Sequence, residues 1–339
     1  MVGIISYGFY VPKYRILIDN IANVWGKNPK DIKSSLMIEE KAVAGIDEDS
    51  LTMAYEAAAM ALDDRIDKTK IGSIFFGSET PPYAVNPSST ILGEFLGVKK
   101  DYLAYDTQFA CKAATGAIIS TIGLVKSNMI NYGLVCSADK STGRPHDALE
   151  YTAGSGATAF LIGKSNVILG IIDQVSFSSD TPDFWRREGI RYPSHSGRFT
   201  GKPSYFYHVQ NAAKNLLLKT KLKPENFAHA VFHMPNGKFP RAVATSLGFS
   251  QKQIEKSLVV GKLGNSYTSS ALMGLVAVLE YAKPNDLIFF VSYGSGAGSD
   301  GFVFKVTKNL INHRQKFQSI INNKTQIDYP TYLKFMGII

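Results

Sequence analysis

The sequence predicts an α/β protein whose two halves repeat one another, and three observations carry that prediction. Segments rich in β-branched and aromatic residues alternate with helical patterns along the chain. Each half ends in a strand, a Gly-Ser-Gly-Ala turn and a second strand: "YGLVCSA" then "AGSGATAFLIG", and "DLIFFVS" then "YGSGAGSDGFVFKV". An apolar helix precedes each pair, Ala113–Val125 and Ser269–Tyr281, apolar nearly all round as a buried central helix must be.

Taken in order, Gly3–Tyr10 is an apolar first strand. No basic region precedes it, and Pro12, Lys13 and Arg15 follow, so it does not read as a signal peptide. Ser50–Asp63 reads as a helix capped by Ser50. Strands follow at Ile71–Gly77, Leu103–Phe109, Tyr132–Ala138 and Thr158–Gly163, with the helix Cys111–Ser127 after the second of them. In the second half, strands fall at Asn166–Val175, Ala230–His233, Leu287–Tyr293 and Phe302–Val306. Helices there are Ser204–Leu218, Pro240–Leu247, Gln251–Lys256 and Thr268–Ala282. The matched turns are Gly154–Ala157 and Gly294–Ala297, which divides the chain into 1–165 and 166–339.

Composition narrows the function. With 339 residues, 45% hydrophobic and 19% charged, the chain has material for a packed core and no mark of disorder. No apolar run reaches the length of a membrane span, so no membrane partner is expected. Two cysteines are too few for a disulfide framework and lack metal-ligand spacing, which suits a reducing, cytosolic compartment and no metal site. The net charge of +9 is interleaved through the chain, densest at Arg186–Lys202 and Lys214–Lys223. No nucleic-acid module accompanies it, so a phosphorylated small molecule is the expected partner rather than nucleic acid.

Cys111 stands where the strand Leu103–Phe109 hands over to a slim helix, "CKAATGA". A thiol there meets unpaired helix N–H groups and the positive end of the dipole, which lower its pKa and make it a nucleophile. Most isolated cysteines pack as small hydrophobes, and Cys136 inside "YGLVCSAD" carries that reading. For Cys111 three other strand ends add chemistry: His233 in "VFHMPNGKFPRA", Glu79 in "FFGSETPPYAVNP" and Asn265 in "GKLGNSYTSSALMG". Free N–H groups at the Gly-Ser-Gly turn, Ser295 among them, could hold an oxyanion. Gly294-x-Gly296-x-Gly298 leads into a strand and so is no dinucleotide loop. His195 and His208 share no zinc-site spacing. The long aromatic and basic stretch Asp180–Tyr207 reads equally as a channel wall or as a subunit contact.

"ETPPYAVNPSS", "FACKAATGAI", "FHMPNGKFP", "GNSYTSSALMGL" and "SYGSGAGSDGF" together resemble the thiolase superfamily and, within it, the compact archaeal type of hydroxymethylglutaryl-CoA synthase. "SSDTPDFWRREGIRYPSHSGRFTGKPSYF" extends the resemblance, which runs from about residue 2 to 307 and weakens in the tail. Lys202 departs from the acidic residue usual in that loop. The resemblance implies a five-layer αβαβα fold, a homodimer, and condensation of acetyl-CoA with acetoacetyl-CoA for the mevalonate route to isoprenoids. It implies Cys111 as the acylated nucleophile, with the Cys111 and Ser295 N–H groups as oxyanion donors. Glu79 becomes the base that acts after acyl transfer, and His233 with Asn265 orient the acetoacetyl ketone. It implies no cofactor beyond the CoA of the substrates, and a complex with a thiolase and a small zinc-containing protein. Lys238 and Arg241, following His233, are the expected CoA phosphate contacts.

Two other readings stay open at this stage. A ketoacyl-carrier-protein synthase III-like enzyme would use Cys, His and Asn without needing Glu79. A non-catalytic CoA-binding scaffold would keep the fold without the reaction.

Overall fold

A computed structural model describes residues 1–339. Its strands, in chain order, are β1 (Gly3–Tyr10), β2 (Tyr14–Leu17), β3 (Glu40–Val43), β4 (Ile71–Gly77), β5 (Leu103–Thr107), β6 (Tyr132–Lys140), β7 (Ser155–Gly163), β8 (Leu169–Ser178), β9 (Phe184–Trp185), β10 (Ser194–His195), β11 (His229–Phe232), β12 (Leu287–Val291), β13 (Gly298–Val306) and β14 (Thr325–Gln326). The α-helices are α1 (Ile18–Val24), α2 (Pro29–Leu36), α3 (Ser50–Ala61), α4 (Ser88–Phe95), α5 (Ala113–Lys126), α6 (Ala148–Thr152), α7 (Tyr207–Thr220), α8 (Lys238–Ser246), α9 (Gln251–Ile254), α10 (Val260–Leu263), α11 (Ser270–Leu279), α12 (Phe317–Asn322) and α13 (Tyr329–Phe335).

Nine strands join in the order β11-β12-β13-β8-β1-β7-β6-β4-β5. From the β1/β8 seam outward, the two arms repeat one pattern. On one side β1 pairs antiparallel with β7, β7 antiparallel with β6, and β6 parallel with β4. On the other, β8 pairs antiparallel with β13, β13 antiparallel with β12, and β12 parallel with β11. The seam itself is short, Gly3 against Gly170 and Ile4 against Leu169. Gly3 permits it, because a Cβ there would sit 2.4 Å from the Leu169 carbonyl.

Alternation along each strand builds the layers. Phe75 enters a central core while its neighbours Ile74 and Phe76 enter an outer one, the period-two pattern of a sheet covered on both faces. The central core holds α5 and α11 and takes Val135 and Phe160 from one arm and Val231 and Phe290 from the other. The helices α3 and α4 cover one outer face around Met53, Ala57 and Leu92. The helices α7, α8 and α9 cover the other around Leu216, Val243 and Ile254. The result is a five-layer αβαβα stack. No helix is long and apolar enough to cross a membrane.

Several local expectations are corrected. Asp49, not Ser50, caps α3, because its side chain accepts the Thr52 N–H. The strand β7 begins at Ser155, so only the second Gly-Ser-Gly-Ala segment is a free turn. All ten residues of α11 are buried, but α5 leaves Ser120 and Gly123 exposed, and a Cβ on Gly116 or Gly123 would meet nothing. The short elements β2, β3, α1, α2, α4 and α6, and the C-terminal segment with β14 and α13, carry no periodic signal long enough to announce them.

Candidate active site

The strand β5 stops at Thr107 and α5 starts at Ala113 with Lys112 as its cap, so Cys111 lies in the turn between them rather than in the helix. Ala110 takes φ 42°, a left-handed conformation that costs a β-carbon residue about 1–3 kcal/mol and is held by its surroundings. Cys111 is only 4% exposed, and its Sγ–H donates to Glu79 Oε1 at 2.8 Å. Burial and the neighbouring Glu79 carboxyl push the thiol well above its ordinary range, with only the Ser295 N–H pulling it down. This overturns the expectation of a thiol lowered by the helix dipole: the thiol is one step outside the helix and faces an acceptor. A thiol so raised can act as a nucleophile only with a base in contact, and the group in contact is the Glu79 carboxyl.

Glu79 follows β4 in a loop tied to the end of β6. The fully buried Asp139 accepts from Ser78 Oγ at 3.0 Å, the Glu79 N–H at 2.8 Å and the Thr80 N–H at 3.0 Å. Its other oxygen accepts from the N–H of Thr268 at 2.9 Å and from that residue's hydroxyl, so one carboxylate joins both arms beneath the site. Burial and the Asp139 charge push Glu79 up to about 8, where a carboxyl can both accept and return a proton near neutral pH.

His233 sits just past β11. Its N–H donates to the Val291 carbonyl at 3.0 Å and its own carbonyl accepts from Tyr205 Oη at 2.8 Å. The ring is buried, its Nδ1 has no protein partner, and burial pushes it down to about 3, so the imidazole is neutral. Asn265 lies between α10 and α11. Its Oδ1 accepts the Tyr267 N–H at 3.0 Å, which leaves the amide NH2 as a donor.

Cys111, His233, Asn265 and Ser295 line one cavity of about 270 Å³, closed by Phe184 and Tyr267. Glu79 lines a second, of about 610 Å³, with Arg186 and Gln108, and Ser295 and Phe184 border both. Phe184, His195, Gly197, Thr200 and Tyr205 place the 180–207 stretch in the cavity walls. His195 also bonds Asp147 at 3.1 Å, while His208 is buried among aromatic rings and Lys202 is exposed. Lys238 and Arg241 are not brought to the cavity: Lys238 is exposed at the start of α8, and Arg241 donates to Gln251 Oε1 at 3.0 Å. Their neighbours Asn236 and Phe239 do line it. Cys136 is fully buried within β6, pushed up to about 12 by burial.

Sequence reasoning missed Asp139, Tyr267 and Tyr293. The signal for Asp139 was a charge closing an otherwise apolar strand, "CSAD". Tyr267 has φ 46°, and only three-dimensional placement reveals it.

A thiol against a carboxyl, a neutral imidazole and an amide, at the strand ends of a five-layer duplicated α/β fold, define an acyl-transferring condensing enzyme of the thiolase type. The hydroxymethylglutaryl-coenzyme A synthase C-terminal family model matches residues 238–331. The chain is 50% identical to the hydroxymethylglutaryl-CoA synthase of Methanobrevibacter smithii over 100% of this chain and 99% of that protein. It is 51% identical to that of Archaeoglobus fulgidus over 98% of both. In structure it is similar to MvaS in complex with 3-hydroxy-3-methylglutaryl coenzyme A, with TM-score 0.92 and 23% identity over 99% of this chain and 91% of that one. It is also similar to an HMG-CoA synthase complexed with CoA, with TM-score 0.91 and 23% identity over 98% of this chain and 89% of that one. The chain belongs to the hydroxymethylglutaryl-CoA synthase family.

Proposed function

We propose that the chain condenses acetyl-CoA with acetoacetyl-CoA and water to give 3-hydroxy-3-methylglutaryl-CoA and CoA, through an acetyl thioester on Cys111. The observation that carries this reading is the 2.8 Å Cys111–Glu79 contact beside a cavity shared by His233, Asn265 and Ser295. Glu79 takes the thiol proton as sulfur attacks the acetyl carbonyl. The Cys111 and Ser295 N–H groups hold the tetrahedral oxyanion, and Glu79 returns the proton to the departing CoA sulfur. The regenerated carboxylate then removes a methyl proton from acetyl-Cys111. The resulting carbanion attacks the ketone carbon of acetoacetyl-CoA, whose oxygen is polarised by N–H donors from neutral His233 and Asn265. Glu79 returns its proton to that oxygen. Water then cleaves the thioester, releasing the carboxylate product and the free thiol. Side chains and backbone amides carry each step, and CoA enters as the substrates' carrier.

Glu79 favours this chemistry over a ketoacyl-carrier-protein synthase, whose decarboxylating route needs no base against the cysteine. The same reading places the enzyme in the cytoplasm, in the mevalonate route, as two thiolase-like halves, 1–165 and 166–339. It makes the protein a homodimer, supported by the uncovered Gly116–Gly123 face of α5 and the free edge of β5, and admits a complex with a thiolase and a small zinc-containing protein. It assigns the CoA phosphates to Lys238, exposed at the start of α8, and to Arg241 on release from Gln251. Incubation with acetyl-CoA followed by intact-mass and peptide analysis tests the reading. An added acetyl group on Cys111, discharged by acetoacetyl-CoA, is the expected result; no acylation would leave the chain a non-catalytic scaffold.

A further inference from the structure

We infer that the buried Lys112–Asp300 ion pair is a positioning device, which brings the Cys111 and Ser295 N–H groups, supplied by different arms of the sheet, into one oxyanion site. The inference rests on the acyl-transfer reading above. Lys112 directly follows Cys111, and its Nζ lies 3.0 Å from both carboxylate oxygens of Asp300 on β13. The side chains are 6% and 0% exposed. Thr115 Oγ1 donates to the same carboxylate at 2.6 Å and Ser176 Oγ at 2.8 Å, so three donor groups converge on Asp300. Across the β12–β13 connection the Asp300 carbonyl accepts the Ser292 N–H at 2.9 Å, and Ser292 leads through Tyr293 and Gly294 into Ser295. Gly294 closes the joint: a Cβ there would lie 2.6 Å from the Phe109 carbonyl and 2.9 Å from Lys112 Cγ. The ion pair thus ties the nucleophile's turn to the oxyanion turn within a few residues of each.

Stability alone does not account for it. Burying a carboxylate and an ammonium costs desolvation that their attraction often only offsets, and such pairs are best attested as devices that fix register. The repeated architecture supplies an internal control. At the corresponding positions of the joint where α11 meets the other arm stand three hydroxyls: Ser269 meets Ser137 at 2.9 Å, and Ser137 meets its cross-strand partner Thr158 at 2.7 Å. The Cys111 side has the same plan, with Thr115 against Ser292 at 2.9 Å and Asp300 opposite Ser292. Ser269 follows Asn265 by the same interval as Thr115 follows Cys111, so Asp300 stands where Thr158 does and Lys112 where Ser266 does. At these matched positions the counterpart joint carries hydroxyls, with the Asp139 carboxylate holding neighbouring Thr268, whereas the lysine–carboxylate pair stands beside Cys111.

The test compares wild type with the neutral pair Lys112→Met/Asp300→Asn and with Thr115→Val, which keeps the ion pair but removes one donor. Three quantities are measured: thermal unfolding, alkylation of Cys111 by iodoacetamide, and single-turnover acetylation by acetyl-CoA. A displaced oxyanion donor lowers acetylation about ten- to hundred-fold with little change in the acetyl-CoA KM. Alkylation, which forms no oxyanion, stays within about two-fold of wild type, since it draws only on the thiol and its base. Thr115→Val falls between, at about three- to ten-fold. Equal loss of alkylation and acetylation, or a folded double variant acetylated at the wild-type rate, overturns the inference. If the double variant does not fold, Thr115→Val decides by the same comparison. Failure of wild type to acetylate Cys111 would instead overturn the functional reading, and this inference with it.

Discussion

Glu79 is the group whose protonation should govern the rate, and its environment sets the pH at which it does so. Burial and the Asp139 charge raise it to about 8, so the active carboxylate is the minor form at neutral pH. The carboxylate fraction is about 1% near pH 6, about 9% near pH 7 and about half near pH 8. Because the base form does the work, activity is present above that range and lost as pH falls through it. Single-turnover acetylation of Cys111, followed by quenched-flow mass spectrometry, should rise about nine-fold from about pH 6 to 7 and only about 1.8-fold from about pH 8 to 9. The condensation step should turn on at still higher pH, because acetylation removes the thiol donor that holds Glu79 down. Glu79→Gln, which cannot take a proton, should lose about 10²–10⁴-fold in condensation. It should lose the pH limb as well. A profile already level by about pH 6 would refute the reasoning, because it would mean an unshifted carboxyl or a different base.

The remaining predictions concern the other site residues. Cys111→Ser should take up no acetyl group, and no label should reach Cys136, which is sealed inside β6; peptide mapping after acetyl-CoA treatment decides. His233→Ala should lower condensation with acetoacetyl-CoA by about 10²–10³ while affecting acetyl transfer less; equal loss in both half-reactions would make His233 a partner of the thiol instead. Lys238→Ala/Arg241→Ala should raise the KM for acetyl-CoA several-fold and leave acetyl-pantetheine unchanged. Equal impairment with both donors would remove the phosphate assignment, and a dominant effect of Lys238 alone would match Arg241 remaining on Gln251.

Long periodic elements were legible in the sequence and the turns between them were not. The strand β4 was bounded correctly because Ile71–Gly77 is an apolar run, interrupted only by the buried Ser73, covered on both faces. The start of α5 was misplaced because small residues from Ala110 to Ala114 suit a turn and a helix equally, and only the positive φ of Ala110 separates them. Misplacing that boundary inverted the electrostatics. A thiol in the first turn of a helix is lowered, whereas a buried thiol beside Glu79 is raised. Glu79, Cys111, His233 and Asn265 could be picked out because each ends a recognisable strand or opens a helix. Their support could not: Asp139 gathers donors from residues 60 and 129 positions away, Glu79 and Thr268. Nothing local marks such a partner.

The repeated arms also explain why the chemistry is divided as it is. Gly294 presses the Gly294–Ala297 turn of one arm against the Cys111 turn ahead of α5. Gly154 does the corresponding thing from the other arm: a Cβ there would lie 2.1 Å from the Leu263 carbonyl, just ahead of Asn265 and α11. The backbones then interlock, with the Gly154 N–H donating to the Asn265 carbonyl at 2.9 Å and the Asn265 N–H to the Thr152 carbonyl at 2.6 Å. Each arm therefore braces the helix entrance of its counterpart, and the two entrances face a common cavity. At one entrance stands a thiol beside the Ser295 N–H; at the other stands a side-chain amide whose only committed atom is its Oδ1. A duplicated scaffold offers two equivalent entrances, while a reaction between two different carbonyl groups needs unlike ones. Divergence at Cys111 and Asn265, within a shared system of braces, is the smallest change that meets both demands.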